Sequence, residues 1–409
     1  MAHLPVNLIK KDLPTPSDNS VPAISLGDFI TSYLTPPQIA TAYNIPPSTG
    51  YGVKVGIFSF GGGFQQSDLD QSFADLQTAG LIDSTLSPPM VRQVLLDGQT
   101  GVFDPTDAGS PENTLDIYCV ATMVPRASIT LYIGNSYASM VTQAIADGMN
   151  IVTISWGTSE YTRDDLYLQR LADAKITFLC SSDDFGSSQD TLTVSADYPA
   201  SSPYSMGIGG TKLILNRDNT RQTETDDNKD PNFNSGLWGG GGGISALFSL
   251  PSWQNGLFYT PIIKGVTGNP TPLTMRGIPD ISAPMNGYLL YVAGVIAAYG
   301  GTSAATPTMA GMMARLLQLT GVSRSSVDWN TIAYANPSAF YDITVGTNND
   351  TTSSGYVGTV GWDPVTGLGP PQGTSLYKIV RTGAIFPKKN YGFRPTTGAV
   401  YPRKTTGTR

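Results

Sequence analysis

The sequence predicts an α/β fold with a mostly parallel central sheet, helices on both faces and a single domain. Three observations predict it. Apolar runs of strand length alternate with segments of helical spacing, the strand runs are almost unbroken in Val, Ile and Leu, and 40% of the 409 residues are hydrophobic. Unbroken apolar strands fit a sheet covered on both faces, and parallel strands need the crossover helices that the alternation supplies.

The elements follow in order. Residues 1–33 are rich in Pro and Ser and predict an extended arm wrapped on the body. VKVGIFSF, from Val53, reads as a buried strand, and SDLDQSFADLQTAG after it has helical spacing closed by Gly80. VRQVLL is strand-like and is followed by a helix through Glu112. Then come strand-like SITLYIG, helical ASMVTQAIADG, strand-like NIVTISWG, helical RDDLYLQRLADAK and strand-like ITFLCSS. Active residues are expected at the carboxyl ends of the strands, where open α/β sheets form their crevice. The polar stretch 216–252, with five glycines at 239–243, reads as an exposed loop with a flexible turn. It lacks the Lys-Ser/Thr that would make it a phosphate loop. Residues 377–409 are basic and rich in Gly, Pro and Thr, a tail that either docks to an acidic protein or stays solvated.

Net charge is −7 and only 13% of residues are charged, so there is no basic footprint for nucleic acid or anionic membrane. No apolar run reaches the roughly twenty residues of a membrane span, and MAHLPVNLIKKDLPTPS lacks the apolar core of a secretory signal. Cys119 and Cys180 each sit in an apolar stretch and read as two buried thiols.

His3 is the only histidine and lies in the arm, which excludes Ser-His-Asp catalysis and the usual zinc hydrolases. A general base must then be a carboxylate or a lysine. In YGGTSAATPTMAGMMARLLQ a glycine pair leads through Thr302 to Ser303 at the start of a helix, with Pro307 in its first turns. Amides and positive potential there favour an anion developing on an attacked carbonyl, although a serine at such a place also serves as a plain helix cap. In GSPENTLDIYCVATMVP, Glu112 and Asp116 are four apart on one helix face. As a buried pair they would hold one proton between them, and as a solvated pair they would only favour the helix start.

Taken together these segments resemble the sedolisin, or serine-carboxyl peptidase, family, whose fold is subtilisin-like with a single catalytic domain. GGTSAATP is similar to its nucleophile motif and ENTLD to its acid pair. ISWG, which holds Trp156 and Gly157, and YPASSPYSMGIGGTKL are similar to internal signatures. The likeness runs from Leu34 to Leu376, so 34–376 is taken as the peptidase domain. It implies Ser303 as nucleophile, Glu112 as base, Asp116 as its partner, and Trp156 and Gly157 as substrate-binding. SSDDFG is similar to the turn that carries an oxyanion-stabilising aspartate, here Asp184. Asp183 then stands where glycine is usual, a place that asks for φ > 0 and adds a negative neighbour. AFYDITVG with TVGWDPVTGLG is similar to the family's calcium site, which implies Asp342 and Asp363 as carboxylate ligands and Ile343, Thr359 and Gly361 as carbonyl ligands. All-oxygen ligation suits that hard cation.

The resemblance therefore implies hydrolysis of protein or peptide substrates on the acid side of neutrality, in a secreted or acidic compartment, with a propeptide as a further partner. The alternatives are a catalytically idle homologue with a structural or assembly role, and an esterase on the same frame. A relic has no chemical reason to keep Ser303, Glu112, Asp116 and Asp184 together.

Overall fold

The computed structural model describes residues 4–5, 10–12, 33–188, 194–226, 239–321, 327–349 and 354–382. Two short strands come first, β1 (Leu4–Pro5) and β2 (Lys10–Asp12). Helix α1 (Pro36–Ala42) opens on two prolines, which suit a first turn whose N–H groups have no helical partner. The alternation then runs β3 (Lys54–Ser59), α2 (Gln66–Thr78), β4 (Arg92–Leu95), α3 (Gly109–Met123), β5 (Ser128–Ile133), α4 (Tyr137–Asp147), β6 (Ile151–Ile154), β7 (Trp156–Ser159), α5 (Asp165–Asp173) and β8 (Thr177–Ser181). The pattern predicts each of these except that NIVTISWG divides, at Ser155, into β6 and β7. Further on lie β9 (Asp197–Tyr198), β10 (Met206–Leu215), β11 (Arg221–Asp226), a strand at Ile281–Pro284, another at Val295–Tyr299, and the long helix α6 (Thr302–Thr320).

The main sheet has the order β11-β10-β8-β6-β3-β5-β4, with Ile281–Pro284 beside β10. Its pairings are parallel except that of β10 with β11. The chain enters at β3, builds β4 and β5 to one side, then crosses to β6 and β8 on the other. That reversal opens a crevice above the carboxyl ends of the strands.

Side chains alternate across the sheet. Ile57, Leu131, Ile151 and Leu179 join one core with Leu115 of α3 and Ala304 of α6, whereas Phe58, Tyr132, Val152 and Phe178 join a second with Met140 of α4 and Leu171 of α5. Burial on both faces is why the strands are apolar throughout. The cysteines are divided the same way, Cys119 in the first core and Cys180 in the second, and both are free thiols.

Every residue of α3 from Glu112 to Met123 is buried, because the helix packs against β3 and β5 of the sheet, against α1 and α2, and against α6, which lies on the same sheet. Gly311 sets how closely the two helices cross: a Cβ there would lie 2.6 Å from Met123 Cβ. Arg315 of α6 then donates Nε to Met123 O at 2.8 Å, satisfying a carbonyl at the end of α3 that has no helical partner.

The segment expected as an exposed loop is one in part: residues 216–220 are a turn, 227–238 lie outside the described residues, and the remainder differs. Residues 221–226 form β11, a strand runs over Gly243–Ser249, and all five glycines from Gly239 to Gly243 are buried. A Cβ on Gly241 would sit 2.0 Å from Ser182 O, and one on Gly242 2.0 Å from Pro364 O. The run is glycine because backbone packs on backbone there, a reason that composition alone does not separate from flexibility. Near the C-terminus, helix Gly373–Arg381 crosses the expected boundary at 376/377 with Val380 buried, and the basic tail from residue 383 lies outside the described residues.

Candidate active site

Ser303 is the second residue of α6. The cap is Gly301, at φ 110°, so Ser303 is not needed to cap the helix. Pro307 shapes the next turn. It has no N–H to give to the carbonyl four residues back, which is that of Ser303. That carbonyl instead accepts Ser155 Oγ at 3.3 Å, and the same hydroxyl lies 2.7 Å from Asp116 Oδ1. Ser155, in the break between β6 and β7, thus joins the first turn of α6 to the acid pair on α3.

Glu112 and Asp116 are both fully buried. Burial raises the Glu112 carboxyl well above its ordinary value and the charges of Asp116 and Asp184 push it further. Ser303 and Ser155 hydroxyls pull the other way. Asp116 is also raised by burial, opposed by Ser155. Neither Glu112 oxygen nor Asp116 Oδ2 has a well-formed hydrogen bond among the described residues. Two buried carboxyls so short of donors are stable together when they share a proton, and a hydroxyl that approaches Glu112 supplies what the pair lacks.

Asp184 follows β8 and reaches the same helix start. Its Oδ1 accepts Thr302 N at 2.6 Å and Thr302 Oγ1 at 2.9 Å. A Cβ on Gly301 would fall 2.4 Å from Asp184 Oδ2, so the cap must be glycine for its conformation and for its size. The buried glycine run holds this turn from behind. Gly239 N donates to Asp184 O at 3.0 Å, Gly241 N to Asp183 O at 2.6 Å, and Ser182 Oγ to Gly241 O at 2.7 Å. Asp183 has φ 88°, the conformation expected from its standing in a glycine position. Its charge acts on Asp197, which burial first and then Asp183 and Glu160 raise well above the ordinary range.

Trp156 and Gly157 open β7, directly after Ser155. Trp156 is buried against Phe60, at 5.9 Å between ring centroids, so only its backbone lies along the strand edge. Gly157 packs against the Asp197 carboxyl, whose Oδ2 would have to move to admit a Cβ, built 2.0 Å from it.

The residues that the resemblance implies for calcium lie in two adjacent loops, 342–343 and 359–363. Gly361 N donates to Asp342 Oδ2 and Thr359 N to Asp363 Oδ2, both at 2.8 Å, while Val365 N and Thr366 N hold Asp363 Oδ1 at 2.9 Å. Asp363 is buried and raised to about 7, by burial and by the facing charge of Asp342. Among the described residues no three acids, histidines or cysteines cluster, so a cation here would rest on two carboxylates and on carbonyl oxygens. That donor set fits a hard ion with loose geometry.

The residues that sequence reasoning missed are Ser155, Thr302 and Gly301. Ser155 stands next to Trp156 and Thr302 next to Ser303, Gly301 is two residues from Ser303, and Ser155 carries a further signal as a polar residue ending an apolar strand.

Fold and site define a subtilisin-like frame on which carboxyl groups, rather than an imidazole, surround a serine at a helix N-terminus. The subtilase family profile matches residues 118–336. Kumamolisin of Bacillus sp. (strain MN-32) is 33% identical over 382 residues, covering 87% of this chain and 64% of that protein. Sedolisin of Pseudomonas sp. (strain 101) is 27% identical over 379 residues, covering 85% and 61%. The chain thus spans a little over three fifths of the length of these relatives. In structure, Pseudomonas sedolisin, a serine-carboxyl proteinase solved with two molecules of pseudo-iodotyrostatin, superposes with a TM-score of 0.70 at 26% identity, covering 86% of this chain and 99% of that one. The chain belongs to the subtilase family and, within it, to the sedolisins.

Proposed function

We propose that this chain is a serine-carboxyl peptidase that cleaves peptide bonds under acid conditions. Ser303 Oγ attacks the carbonyl carbon while Glu112, as the carboxylate, takes its proton and becomes a neutral acid, and Asp116 holds Glu112 in place. The oxyanion forms beside the start of α6. Because Asp184 Oδ1 is engaged by both Thr302 donors, Oδ2 is the oxygen assigned to carry a proton toward that oxyanion. The C–N bond then breaks, Glu112 returns its proton to the leaving amine, and water repeats the steps in reverse on the acyl-enzyme. The backbone of Trp156 and Gly157 aligns the substrate. Asp342, Asp363 and the carbonyls of Ile343, Thr359 and Gly361 would hold calcium, which supplies positive charge that fastens two loops.

Acid operation follows from the donor role, since an aspartic acid with an ordinary pKa of about 3.9 donates only while protonated. Such an enzyme suits a secreted or acidic compartment. The observation that carries the reading is the burial of Ser303, Glu112, Asp116 and Asp184 around one helix start in a chain with no second histidine. Incubating denatured protein at roughly pH 3 to 5 with the chain and with Ser303→Ala tests it. Cleavage that the variant loses is expected. Equal cleavage by both, or by neither, refutes the assignment.

A further inference from the structure

Behind the turn that carries Asp184 the chain returns three times: in the glycine run at 239–243, around Asn348, and in the loop that ends in Asp363 and Pro364. One buried side chain joins them. Asn348 is 1% exposed. Its Nδ2 donates to Gly242 O at 3.1 Å and to Pro364 O at 2.8 Å, and its Oδ1 accepts Tyr356 N at 3.0 Å. Both donors of the amide and its acceptor are thus engaged. The backbone of the same residue reaches the turn itself, where Asn348 O accepts Ser187 N at 2.9 Å.

From Gly242 the bonds lead to Asp184. Gly242 N donates to Gly186 O at 3.1 Å and Gly186 N to Gly239 O at 3.0 Å, while Gly239 N and Gly241 N hold the carbonyls of Asp184 and Asp183. There is no slack in this joint. A Cβ on Gly186 would lie 2.6 Å from Asn348 O, and one on Gly242 2.0 Å from Pro364 O. Asn348 is fixed in turn to the main sheet, because Thr347 N donates to Asp226 Oδ2 of β11 at 2.8 Å.

We propose that Asn348 is a positioning residue for Asp184: by holding Gly242 O and Pro364 O together it sets the glycine run, and through that run the turn that aims Asp184 at the start of α6. A buried carbonyl that loses its donor must move to find another, so without the amide both segments shift. Asn348 acts through backbone and not on the reacting atoms, as a support that fixes a functional side chain from behind. Its service to catalysis rests on the peptidase reading, whereas its hold on the turn does not.

The test uses full-length chains carrying Asn348→Ala, which removes all three side-chain bonds, or Asn348→Asp. The second keeps the volume and the acceptor for Tyr356 N, but has at most one donor, and that only when protonated. Hydrogen exchange is followed first, in a Ser303→Ala background so that no turnover is needed. Segments 182–187 and 239–243 should exchange faster in Asn348→Ala while α3 keeps its protection, and Asn348→Asp should fall between that chain and the parent. With Ser303 intact, a fluorogenic peptide should show kcat reduced by roughly ten- to a hundredfold in Asn348→Ala, and by less in Asn348→Asp, with KM unchanged. The loss falls on kcat because a donor to the oxyanion acts in the transition state and not on bound substrate. If Asn348→Ala does not fold, the same two readings on Asn348→Asp decide. Unchanged exchange at 182–187, Asn348→Asp equal to the parent chain in both readings, or a loss carried by KM, overturns the proposal. Absence of turnover in every chain, the parent included, with exchange still responding, overturns the peptidase reading and leaves the hold of Asn348 on the turn standing.

Discussion

Replacing Ser155 by alanine tests the carboxylate mechanism at a residue that touches no substrate. Its hydroxyl lies 2.7 Å from Asp116 Oδ1 and 3.3 Å from Ser303 O, and it favours the ionised form of both Asp116 and Glu112. A hydrogen bond to a buried charge is worth about 1.5–3 kcal/mol, so its loss should reduce kcat/KM by roughly ten- to a hundredfold where the ionised pair limits the rate. The direction in pH is fixed by the sign. Removing a donor to the charged form raises the pair further, so Glu112 becomes a competent base only at higher pH, and the acid limb of the profile moves up. The alkaline limb, assigned to Asp184, should stay in place. Ser155→Thr keeps the hydroxyl and should recover most of the rate. The assay is kcat/KM of a fluorogenic peptide across the acid range for the three chains. An acid limb that stays put or moves down, or an equal loss at every pH, would refute the argument, since a purely structural defect has no reason to move one limb.

Three other outcomes are expected. Gly311→Ala puts a methyl 2.6 Å from Met123 Cβ where α3 crosses α6, and should destabilise the chain by about 1–3 kcal/mol in chemical denaturation, with activity falling because the crossing carries Glu112 and Ser303. The chain should be more stable in acid than at neutrality. Burial raises Asp165 and Asp226 to about 6 and Glu112, Asp116, Asp197 and Glu224 in the same direction. A carboxyl raised on folding contributes stability that is complete below its unfolded pKa and is lost as pH rises through the folded one, so the melting temperature should fall from about pH 4 to pH 7. A melting temperature that rises over that interval would count against the burial assigned to these groups. Calcium should raise thermal stability and a chelator lower it, an effect that Asp363→Asn should abolish. A chelator effect undiminished in that variant would place the ion elsewhere.

The parts of this molecule that were legible in the sequence are those governed by short-range periodicity. Strands buried on two faces are apolar at almost every position, and helices between them show a three-to-four spacing, so β3, β5, β6, β8 and α2 to α5 follow from the chain read locally, whereas β4 is a largely exposed edge strand and the start of β7 was not marked. Glu112, Asp116 and Ser303 were singled out for another reason, because their segments resemble the sedolisin acid pair and nucleophile motif. What was not legible depends on meetings between distant segments. Ser155 joins the site because Pro307, 152 residues further on by the numbering, lacks a donor and leaves a carbonyl to be satisfied. The glycine run looks flexible by composition and is instead tightly packed behind Asp183 and Asp184. Asp183 lies between the two cases: its position in the motif predicts the positive φ that it adopts, but not that its charge acts on Asp197 beneath β7. A residue's own requirement can be read from its neighbours in sequence. Its effect on a site is set by the groups the fold brings beside it, and here these are a carbonyl whose helical donor is replaced by a proline, two acids short of donors, and a backbone turn with no room for a methyl.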